Sequence, residues 1–362
     1  MATEFVREAV RVLPGYQAPA TGSARVKLDQ NESPFDLPED LKEEVLRRLR
    51  SKPWNRYPVY ENPALRQKLA AWLGVDDDAL LLGHGSNQIL YALATAILRP
   101  GDRLVLSPPT FSLFELVGRI FEARIRAVPQ ERDFRFSADA LAKAASSARL
   151  TLLCSPNNPT GAVLDLDDLD RILGMAGGVV LWDEAYHEFW GKTALPLLAR
   201  HPNLLILRTF SKAYGLAGVR LGYLVGNPDL VAEIRKVNLP YNIDALSETV
   251  LEVVLEQPGY AKERVRGIVA ERERLQDELQ RMPGVSVYPS QANFLLLRFA
   301  DGERVYRELL SEGVFVRSFL HSPGLEGCLR VTVGTREENQ VFLDVLAEIL
   351  LKTEAATRRA AS

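Results

Sequence analysis

Six short, predominantly apolar segments between residues 80 and 226 constrain the fold of this 362-residue chain more than any other feature. The segments are 80–83, 103–106, 150–154, 179–182, 204–208 and 221–225. Strands that are hydrophobic at nearly every position, rather than at every second one, are covered on both faces. Helical patterns near 87–98, 111–121 and 166–174 lie between several of them. We therefore predict an α/β fold with a mostly parallel sheet covered by helices, and a ligand site at the carboxyl ends of its strands.

The remaining segments divide the chain into an arm, two domains and a tail. Residues 1–34 lack strong periodicity and contain several prolines, which is typical of an extended arm rather than of a core element. Residues 35–240 carry the alternation of a large α/β domain. A charged helical pattern at about 244–282 and four short apolar segments between 285 and 333 predict a smaller α+β domain over 241–352. We expect a frayed tail at 353–362.

Two helices are predicted with defined ends. Asn62 precedes Pro63 and a helical pattern, and Gly74 follows it, so a capped helix is expected over 62–74. Thr335 and Glu338 have the spacing of a capping box, in which each residue bonds the backbone of the other, before the last apolar pattern.

Composition narrows the class of protein. A net charge of -3 favours neither a nucleic-acid backbone nor an anionic membrane as a partner, and small molecules are expected instead. The first residues lack the apolar core of a signal peptide, and no segment reaches about 18 consecutive apolar residues, so we predict a cytoplasmic protein. Cys154 and Cys328 are too few for a disulfide framework or a paired-cysteine zinc site, and both are expected to be buried thiols.

Asp183 directly follows the apolar segment 179–182, so its carboxylate is expected at the carboxyl edge of the sheet. A buried carboxylate is costly without a partner, and the N–H of a pyridinium ring would supply one. Tyr186, three residues further on, is placed to hydrogen-bond the phenolic oxygen of the same ring. The alternative is an acid that begins a turn or caps a helix.

Asn157 lies in the loop Ser-Pro-Asn-Asn-Pro-Thr-Gly at 155–161, directly after the apolar segment that ends at Cys154. Two prolines and a glycine restrict the backbone of this loop. The amide of Asn157 would donate to that same phenolic oxygen. The alternative is a tight polar turn that binds nothing.

Lys212 follows the segment 204–208 and offers a primary amine. Thr209 and Ser211 supply hydroxyls beside it and Arg220 supplies a permanent cation, a combination that suits a phosphate group. Pyridoxal 5'-phosphate needs an amine for its aldehyde, an anion beside its ring nitrogen and donors for its phosphate. We therefore predict that Lys212 forms a Schiff base with this cofactor and shuttles a proton, although a lysine taken singly is more often a surface residue.

The segment Gly-His-Gly-Ser-Asn-Gln at 83–88 joins a predicted strand to a predicted helix. The amides of Ser86 and Asn87 at the start of that helix are candidates for binding the phosphate. The segment lacks the third glycine of a dinucleotide site and is not a Gly-x-Ser-x-Gly elbow. Phe111 is a candidate to stack on the pyridine ring, with core packing as the alternative. His187 among acids is poor evidence for a metal, and no metal site is predicted.

With these residues identified, the chain resembles the fold-type I pyridoxal phosphate aminotransferases and, among them, the class II histidinol-phosphate aminotransferases. The resemblance extends over nearly the whole chain. Its motifs are Asp-Gln-Asn-Glu-Ser-Pro at 29–34, Arg-Tyr-Pro at 56–58, the loop 155–161, Asp-Glu-Ala-Tyr at 183–186, the run 211–220 and the run 327–336.

The resemblance implies a role for each candidate residue. Lys212 is the Schiff-base lysine, Asp183 pairs with the pyridinium, and Asn157 and Tyr186 bind the phenolic oxygen. The family also implies a homodimer with active sites at the subunit interface, and an arm that packs with the small domain and the partner. The residues expected around the phosphate are Ser86, Asn87, Thr209, Ser211 and Arg220, joined by Tyr57 from the partner subunit.

By the same resemblance, Arg330 and Arg317 are the clamps for the substrate anion, and Tyr16 and Asn31 close over the substrate from the arm. Two arginines suit a phosphate dianion and also the carboxylates of glutamate and 2-oxoglutarate. Without the resemblance, Arg317 is equally a surface charge at the end of a strand. Two departures from the family pattern are Phe111, where many relatives have tyrosine, and Val59, where aspartate commonly follows the proline.

The reaction implied is amino transfer between L-histidinol phosphate and 2-oxoglutarate, giving imidazole acetol phosphate and L-glutamate, in L-histidine biosynthesis. An aromatic amino acid aminotransferase or a threonine-phosphate decarboxylase on the same scaffold would retain Lys212 and Asp183. A cofactor-sensing transcription regulator would need a DNA-binding module, for which the 34 residues of the arm are too few. A scaffold without cofactor would leave Lys212, Asp183 and Arg220 unexplained.

Overall fold

The computed structural model describes residues 2–15, 24–257 and 259–360. The strands are β1 (Val26–Leu28), β2 (Leu80–His84), β3 (Arg103–Leu106), β4 (Arg124–Ala127), β5 (Leu150–Cys154), β6 (Val179–Asp183), β7 (Leu204–Thr209), β8 (Leu221–Gly226), β9 (Val285–Tyr288), β10 (Phe294–Phe299), β11 (Val314–Ser318) and β12 (Cys328–Thr332). The helices are α1 (Glu8–Arg11), α2 (Glu39–Ser51), α3 (Pro63–Leu73), α4 (Gly85–Ile97), α5 (Ser112–Ile120), α6 (Ala138–Ala145), α7 (Leu166–Met175), α8 (His187–Trp190), α9 (Pro228–Arg235), α10 (Ala245–Glu256), α11 (Tyr260–Gln280), α12 (Gly302–Ser311) and α13 (Arg336–Ala360).

The larger sheet confirms the predicted α/β class. Its order is β2-β8-β7-β6-β5-β3-β4, and all neighbours are parallel except β8, which runs antiparallel to both β7 and β2. All six apolar segments form strands of this sheet. Strands β5 and β7 are buried along their whole length because helices pack on both faces of the sheet. One face packs against α4, α5 and α9, and the other against α6, α7, α10 and α11.

The capping predictions at two helices are confirmed. Asn62 Oδ1 accepts a hydrogen bond from the amide of Leu65 at 3.1 Å, and Gly74 ends α3 with a φ of 72°. At the start of α13, the amide of Thr335 donates to Glu338 Oε2 at 2.8 Å, and the amide of Glu338 donates to Thr335 Oγ1 at 3.2 Å. These ends were readable because capping depends on residues close together in sequence.

The smaller sheet has the order β1-β11-β12-β10-β9, and its first strand corrects one expectation. The arm was predicted to be an extended segment that packs with the small domain rather than a core element, but its residues 26–28 form a strand of this sheet, paired in parallel with β11, and Val26 and Leu28 are buried in its core. Three residues are too few to show a periodicity, and their partner lies almost 290 residues away, at Val314–Val316. The arm therefore delivers the residues after Leu28 directly to the space between the two sheets.

Two helical segments differ from the sequence predictions, and the two cysteines agree with them. The charged helical pattern forms two helices, α10 and α11, and α10 packs with α2 and α3 beside the larger sheet. Helix α13 continues to Ala360, into the predicted frayed tail. Cys154 and Cys328 are buried free thiols, as predicted. Among the described residues, no helix is both long and apolar enough to span a bilayer.

Candidate active site

A cavity of about 470 Å³ lies where the carboxyl ends of the larger sheet face the smaller sheet. This is the position expected for a ligand in an open α/β sheet. Its lining residues are Asp29, Gln30, Asn31, Glu32, Ser86, Asn87, Thr110, Phe111, Ser112, Cys154, Asn158, Pro159, Asp183, Ala185, Tyr186, Thr209, Ser211, Lys212, Ala217, Gly218, Arg220, Arg317, Phe319 and Arg330. Most of the candidate residues are therefore brought together, although they come from several strand ends of the larger sheet, two strands of the smaller sheet and the arm.

Asp183 closes β6 and points its carboxylate into the cavity from a buried position. Its Oδ1 accepts a hydrogen bond from the amide of Ala185 at 2.9 Å. Within the described chain, Oδ2 accepts none. Burial raises the pKa of this carboxyl from 3.8 to about 7, with a smaller contribution from the charge of Glu184. A buried carboxylate with one free oxygen is suited to a cationic N–H donor.

Lys212 lies in the turn that follows β7 and reaches the cavity as a half-buried amine. Its Nζ donates a hydrogen bond to the backbone carbonyl of Gln30 in the arm at 2.9 Å. Burial, and then the neighbouring cation of Arg330, lower the pKa of the amine from 10.5 to about 7. The amine is therefore available in its neutral, nucleophilic form near neutral pH.

The hydroxyls and the guanidinium predicted to bind phosphate form one connected group. Thr209 Oγ1 donates to Ser211 Oγ at 3.0 Å, and Arg220 Nη1 approaches the same Ser211 Oγ at 3.4 Å. The backbone of Arg220 has a left-handed φ of 59°, and its Nη1 is held by the carbonyl of Ala217 at 3.0 Å. The group presents two neutral donors and one cation to the same part of the cavity.

The start of α4 lies close to this group of side chains, and glycine at two positions makes the close approach possible. A Cβ on Gly85 would lie 2.6 Å from Arg220 Nη2, and one on Gly222 would lie 2.5 Å from the amide of Ser86. Ser86 and Asn87 line the cavity in the first turn of α4, where backbone N–H groups lack helical partners. The combination of a helix start, hydroxyls and an arginine fits a phosphate group.

Tyr186 and Asn31 form the opposite wall of the cavity. The phenol of Tyr186 is buried and accepts a hydrogen bond from Asn31 Nδ2 at 2.9 Å. Burial raises the pKa of Tyr186, so that the hydroxyl keeps its proton for donation. Asn31 is itself fixed, because its amide donates to Thr332 Oγ1 at 2.9 Å and its carbonyl accepts from Asn293 at 3.1 Å. The arm residue is therefore tied to strand β12 of the smaller sheet.

The structure corrects the role predicted for Asn157. Its Nδ2 donates to the carbonyl of Pro109 at 2.9 Å and to Thr160 Oγ1 at 2.8 Å, and its Oδ1 accepts from Thr110 at 2.7 Å. These bonds use the whole amide inside the loop, so Asn157 does not line the cavity. Its neighbour Asn158 does. The loop sequence places two asparagines side by side, and nothing in it shows which one faces outward.

Arg330 in β12 is buried and bonded at both ends of its guanidinium. Nη1 donates to Asn158 Oδ1 at 2.5 Å, and Nη2 donates to the carbonyl of Asp29 at 2.7 Å. Its Nε is buried and finds no partner among the described residues. Burial lowers the pKa of Arg330 to about 10, which still leaves it cationic at neutral pH.

Arg317 lies opposite Arg330 in the pairing of β11 and β12, so both arginines point from neighbouring strands into the cavity. In the part of the chain that the structure describes, its side chain makes no hydrogen bond and no ion pair. An arginine that faces a cavity without a partner is suited to an anionic ligand group. Together the two side chains supply a doubly cationic wall.

The remaining candidates occupy different places. Phe111 lines the cavity at the start of α5 and packs edge-on against Phe114, with ring centroids 5.7 Å apart. Tyr57 does not line the cavity of its own chain; it is 80% exposed and stacks on Tyr241 at 4.6 Å. Tyr16 lies outside the described residues. Gln30 was not foreseen, because a backbone carbonyl carries no sequence signal.

The arrangement matches the demands of pyridoxal phosphate at three separate points. A neutral amine at Lys212 can bond an aldehyde, the free oxygen of Asp183 can accept a ring N–H, and the group around Arg220 can hold a phosphate. Tyr186 has a proton to donate to a phenolic oxygen between them. The residues present therefore fit this cofactor.

Comparisons with known proteins agree with this chemistry. The sequence profile described as aminotransferase class I and II matches residues 24–346. The histidinol-phosphate aminotransferase of Chlorobaculum tepidum is 40% identical over 95% of this chain and 100% of that protein, and that of Chlorobium luteolum is 41% identical over 94% and 97%. A crystal structure of histidinol-phosphate aminotransferase from Sinorhizobium meliloti in complex with pyridoxal-5'-phosphate has a TM-score of 0.87 at 24% identity, over 98% of this chain and 100% of that chain.

Proposed function

We propose that this chain, which belongs to the aminotransferase class I and II family, transfers an amino group between L-histidinol phosphate and 2-oxoglutarate with pyridoxal 5'-phosphate as cofactor. The products are imidazole acetol phosphate and L-glutamate, and the pathway served is L-histidine biosynthesis. The reaction is the one named for relatives that are about 40% identical over almost the full chain. Cytoplasmic location is part of the same proposal.

One observation carries the proposal more than any other. The amine of Lys212, the carboxylate of Asp183 and the phosphate donors around Arg220 converge on a single cavity from separate strand ends. Each of these groups has a commonplace explanation when taken alone. Their convergence, with pKa values of about 7 at both Lys212 and Asp183, is expected of a site that exchanges protons near neutral pH.

The roles of the residues follow from their positions. Bound pyridoxal phosphate supplies an electron-withdrawing ring that stabilises negative charge at the α-carbon of the substrate. Asp183 keeps the ring nitrogen protonated, and Tyr186 and Asn158 bind the phenolic oxygen. Lys212 would hold the cofactor through its aldehyde, and once the substrate amine had freed it, Nζ would move a proton between the α-carbon of the substrate and C4' of the cofactor, in opposite directions in the two half-reactions. Thr209, Ser211 and Arg220 hold the phosphate with the start of α4, and Phe111 covers one face of the ring.

The two arginines of the smaller sheet are proposed to select the substrate. Arg317 is free to bind an anion, whereas Arg330 combines that role with holding Asn158. A dianionic phosphate ester satisfies both cations, and so do the carboxylates of glutamate and 2-oxoglutarate in the other half-reaction. Asn31 is fixed at the edge of this pocket, where it would close the site over the substrate together with Tyr16.

We also propose that the enzyme is a homodimer, in which Tyr57 reaches the phosphate of the partner subunit. Tyr57 and Tyr60 pack against Tyr241 in an exposed apolar patch, and Trp54 and Val59, which are close to them in sequence, are also exposed; Trp54 is 79% and Tyr57 80% exposed. Patches of this kind mark protein interfaces. Sedimentation should give twice the mass of one chain. Tyr57→Phe should then weaken cofactor affinity without changing that mass, and a monomer with full activity would overturn this part of the proposal.

The reaction is tested with three substrates in parallel. Purified protein with pyridoxal phosphate should convert histidinol phosphate when 2-oxoglutarate is present, much faster than it converts phenylalanine. With threonine phosphate it should release no carbon dioxide. Carbon dioxide release without 2-oxoglutarate would instead identify a decarboxylase, and preference for phenylalanine an aromatic aminotransferase. Lys212→Ala should abolish both turnover and the visible absorbance of the bound cofactor, while a wild-type spectrum would overturn its role.

A further inference from the structure

A buried ion pair between Glu184 and Arg208 lies immediately behind the cavity. Glu184 follows Asp183 at the end of β6, and Arg208 precedes Thr209 at the end of β7. Because side chains alternate along a strand, Asp183 and Thr209 face the cavity while Glu184 and Arg208 face away from it. The two side chains are 1% and 5% exposed, and Arg208 Nη2 lies 2.7 Å from Glu184 Oε2.

The carboxylate of Glu184 is saturated with donors. It accepts from Arg208 Nε at 2.8 Å and Trp182 Nε1 at 3.2 Å, and from the hydroxyl of Thr193 at 3.0 Å and the amide of Ala194 at 2.6 Å. Its own amide donates to the carbonyl of Leu207 at 2.8 Å. The end of β6 is therefore locked both to β7 and to the segment after α8.

The guanidinium of Arg208 also has several hydrogen-bond partners. It donates to Thr193 Oγ1 at 2.6 Å and to the phenol of Tyr223 in β8 at 3.3 Å, besides its bonds to Glu184. A buried ion pair contributes little net stability, because the loss of hydration offsets the attraction between the charges. Stability alone is therefore a weak reason for two charges at this depth, directly beside the residues that would hold the ring and the phosphate.

We propose that Glu184 and Arg208 are positioning residues for the cofactor. The pair fixes the ends of β6 and β7, and thereby the separation between the carboxylate of Asp183 and the hydroxyl of Thr209. Arg208 also cancels the charge of Glu184, so that Asp183 can meet the ring nitrogen as an anion. This inference rests on the proposed function, since it takes pyridoxal phosphate to be the ligand of Asp183.

The surrounding charges agree with an electrostatic role. Glu184 is one of the causes that raise the pKa of Asp183, after burial, and the thiol of Cys154 on β5 and the phenol of Tyr186 also interact with Asp183. Arg208 is in addition faced by Glu188, His187, Tyr214 and Tyr223. Removing the anion of Glu184 should therefore make Asp183 more acidic, and removing the cation of Arg208 should make it less acidic.

The test compares Glu184→Gln and Arg208→Gln with the wild-type protein. The dissociation constants of pyridoxal phosphate and of its 1-deaza analogue, which lacks the ring nitrogen, are measured by fluorescence titration from pH 5 to 9. The ratio of the two constants isolates the contact with Asp183. The advantage of pyridoxal phosphate should disappear as the pH falls, because a protonated Asp183 no longer offers an anion.

The two variants should shift the midpoint of this pH dependence, at which the preference for pyridoxal phosphate is lost, in opposite directions. The midpoint is expected to fall by about one pH unit in Glu184→Gln and to rise by about one unit in Arg208→Gln, where Trp182, Thr193 and Ala194 still hold the carboxylate of Glu184. Both variants should bind the deaza analogue more weakly than wild type, since the strand ends are loosened. A purely structural pair would lower both affinities without opposite shifts in the midpoint.

A control removes a second ion pair, whose residues do not line the cavity. Glu271 binds Arg274 at 2.5 Å within α11 and accepts from Asn339, so Glu271→Gln should lower the melting temperature and leave the midpoint unchanged. Midpoints that equal the wild-type value, or that move in the same direction in both variants, would overturn the inference. If wild-type protein shows no preference for pyridoxal phosphate over the deaza analogue at any pH, the proposed cofactor contact itself fails.

Discussion

Arg330 donates a hydrogen bond from Nη1 to Oδ1 of Asn158 at 2.5 Å, and this contact joins strand β12 of the smaller sheet to the loop after β5 of the larger sheet. Asn158 would bind the cofactor, and Arg330 would bind the substrate anion. The side chains proposed to bind the substrate anion and the ring are therefore in direct contact. The neighbouring Asn157, although identical in type, is buried inside the loop and takes no part in this contact.

Replacing the two asparagines in turn should separate these roles. Asn158→Ala is expected to lower kcat/KM by about 10- to 100-fold, because a bond to the ring and a bond to Arg330 are lost together. Asn157→Ala should lower the free energy of unfolding by about 1 to 3 kcal/mol, because Thr110, Thr160 and the carbonyl of Pro109 lose buried partners. Steady-state kinetics and urea unfolding of both variants measure the two effects. Equal kinetic losses in folded protein would contradict the division.

A methyl group added at Gly85 should weaken binding at the proposed phosphate site. Its Cβ would lie 2.6 Å from Arg220 Nη2, so Gly85→Ala is expected to displace the guanidinium and raise the dissociation constant of pyridoxal phosphate by at least about tenfold. Gly74→Ala is the control, because its φ of 72° is close to the 76° of Gly85 but no atom lies within 4 Å of its Cβ. Both should lose about 1 kcal/mol of stability through backbone strain. Cofactor affinity should fall only in the first.

Asp183→Asn should stabilise the cofactor-free protein at alkaline pH. The folded-state pKa of about 7 lies above the usual 3.8, so the folded form binds the proton more tightly. The carboxyl of Asp183 therefore contributes to the free energy of unfolding at low pH, and this contribution is lost as the pH rises from about 4 through 7. The gain from asparagine, about 1 to 4 kcal/mol, should thus be larger at pH 8 than at pH 5.5. Cofactor affinity should fall in the same variant.

The control for this pH dependence is Asp170→Asn. The pKa of Asp170 is lowered by the hydrogen bond with His201, despite an opposing effect of desolvation, so its carboxylate contributes stability that is lost on acidification. This loss occurs only below about pH 4, so the effect of Asp170→Asn on unfolding should be the same at pH 5.5 and at pH 8. A gain for Asp183→Asn that does not depend on pH would contradict the buried-charge explanation.

Uptake of pyridoxal phosphate by the cofactor-free protein should accelerate with pH through about 7. Only the neutral amine of Lys212 attacks the aldehyde, and burial and Arg330 lower its pKa to about 7. Arg330→Gln removes the cation and should move the midpoint of this rise upward. Stopped-flow absorbance at a series of pH values measures both midpoints. An unchanged midpoint in the variant would mean that Arg330 does not tune the amine.

The two arginines proposed to bind the substrate should differ in how much they contribute to the stability of the fold. Arg317→Ala is expected to raise the KM for histidinol phosphate by about 10- to 100-fold and to change stability by less than about 0.5 kcal/mol, because the described chain gives it no partner. Arg330→Ala should raise the same KM and also lower the melting temperature, since Asn158 and the carbonyl of Asp29 lose a buried donor. Thermal unfolding beside steady-state kinetics distinguishes them. Equal melting temperatures would contradict the bracing role of Arg330.

Much of the fold and of the candidate site could be predicted from the sequence because it depends on residues that are close together in the chain. The apolar segments of the larger sheet predicted its strands, and residues that directly follow such a strand must emerge at its carboxyl edge. Asp183 and Lys212 were found by that argument, without any knowledge of contacts. The caps at Asn62 and Thr335 were predictable for the same reason, since their partners lie three residues away.

The amino-acid sequence by itself determined the α/β class, the strand ends that carry the chemistry and the residue types of the cofactor site. Only the tertiary structure decided which asparagine faces the cavity, that the arm supplies strand β1, and that the carbonyl of Gln30 receives the amine of Lys212. Patterns along a chain report the spacing of side chains within one element. Which way a loop amide turns, and which distant carbonyl meets an amine, depends on contacts between segments hundreds of residues apart.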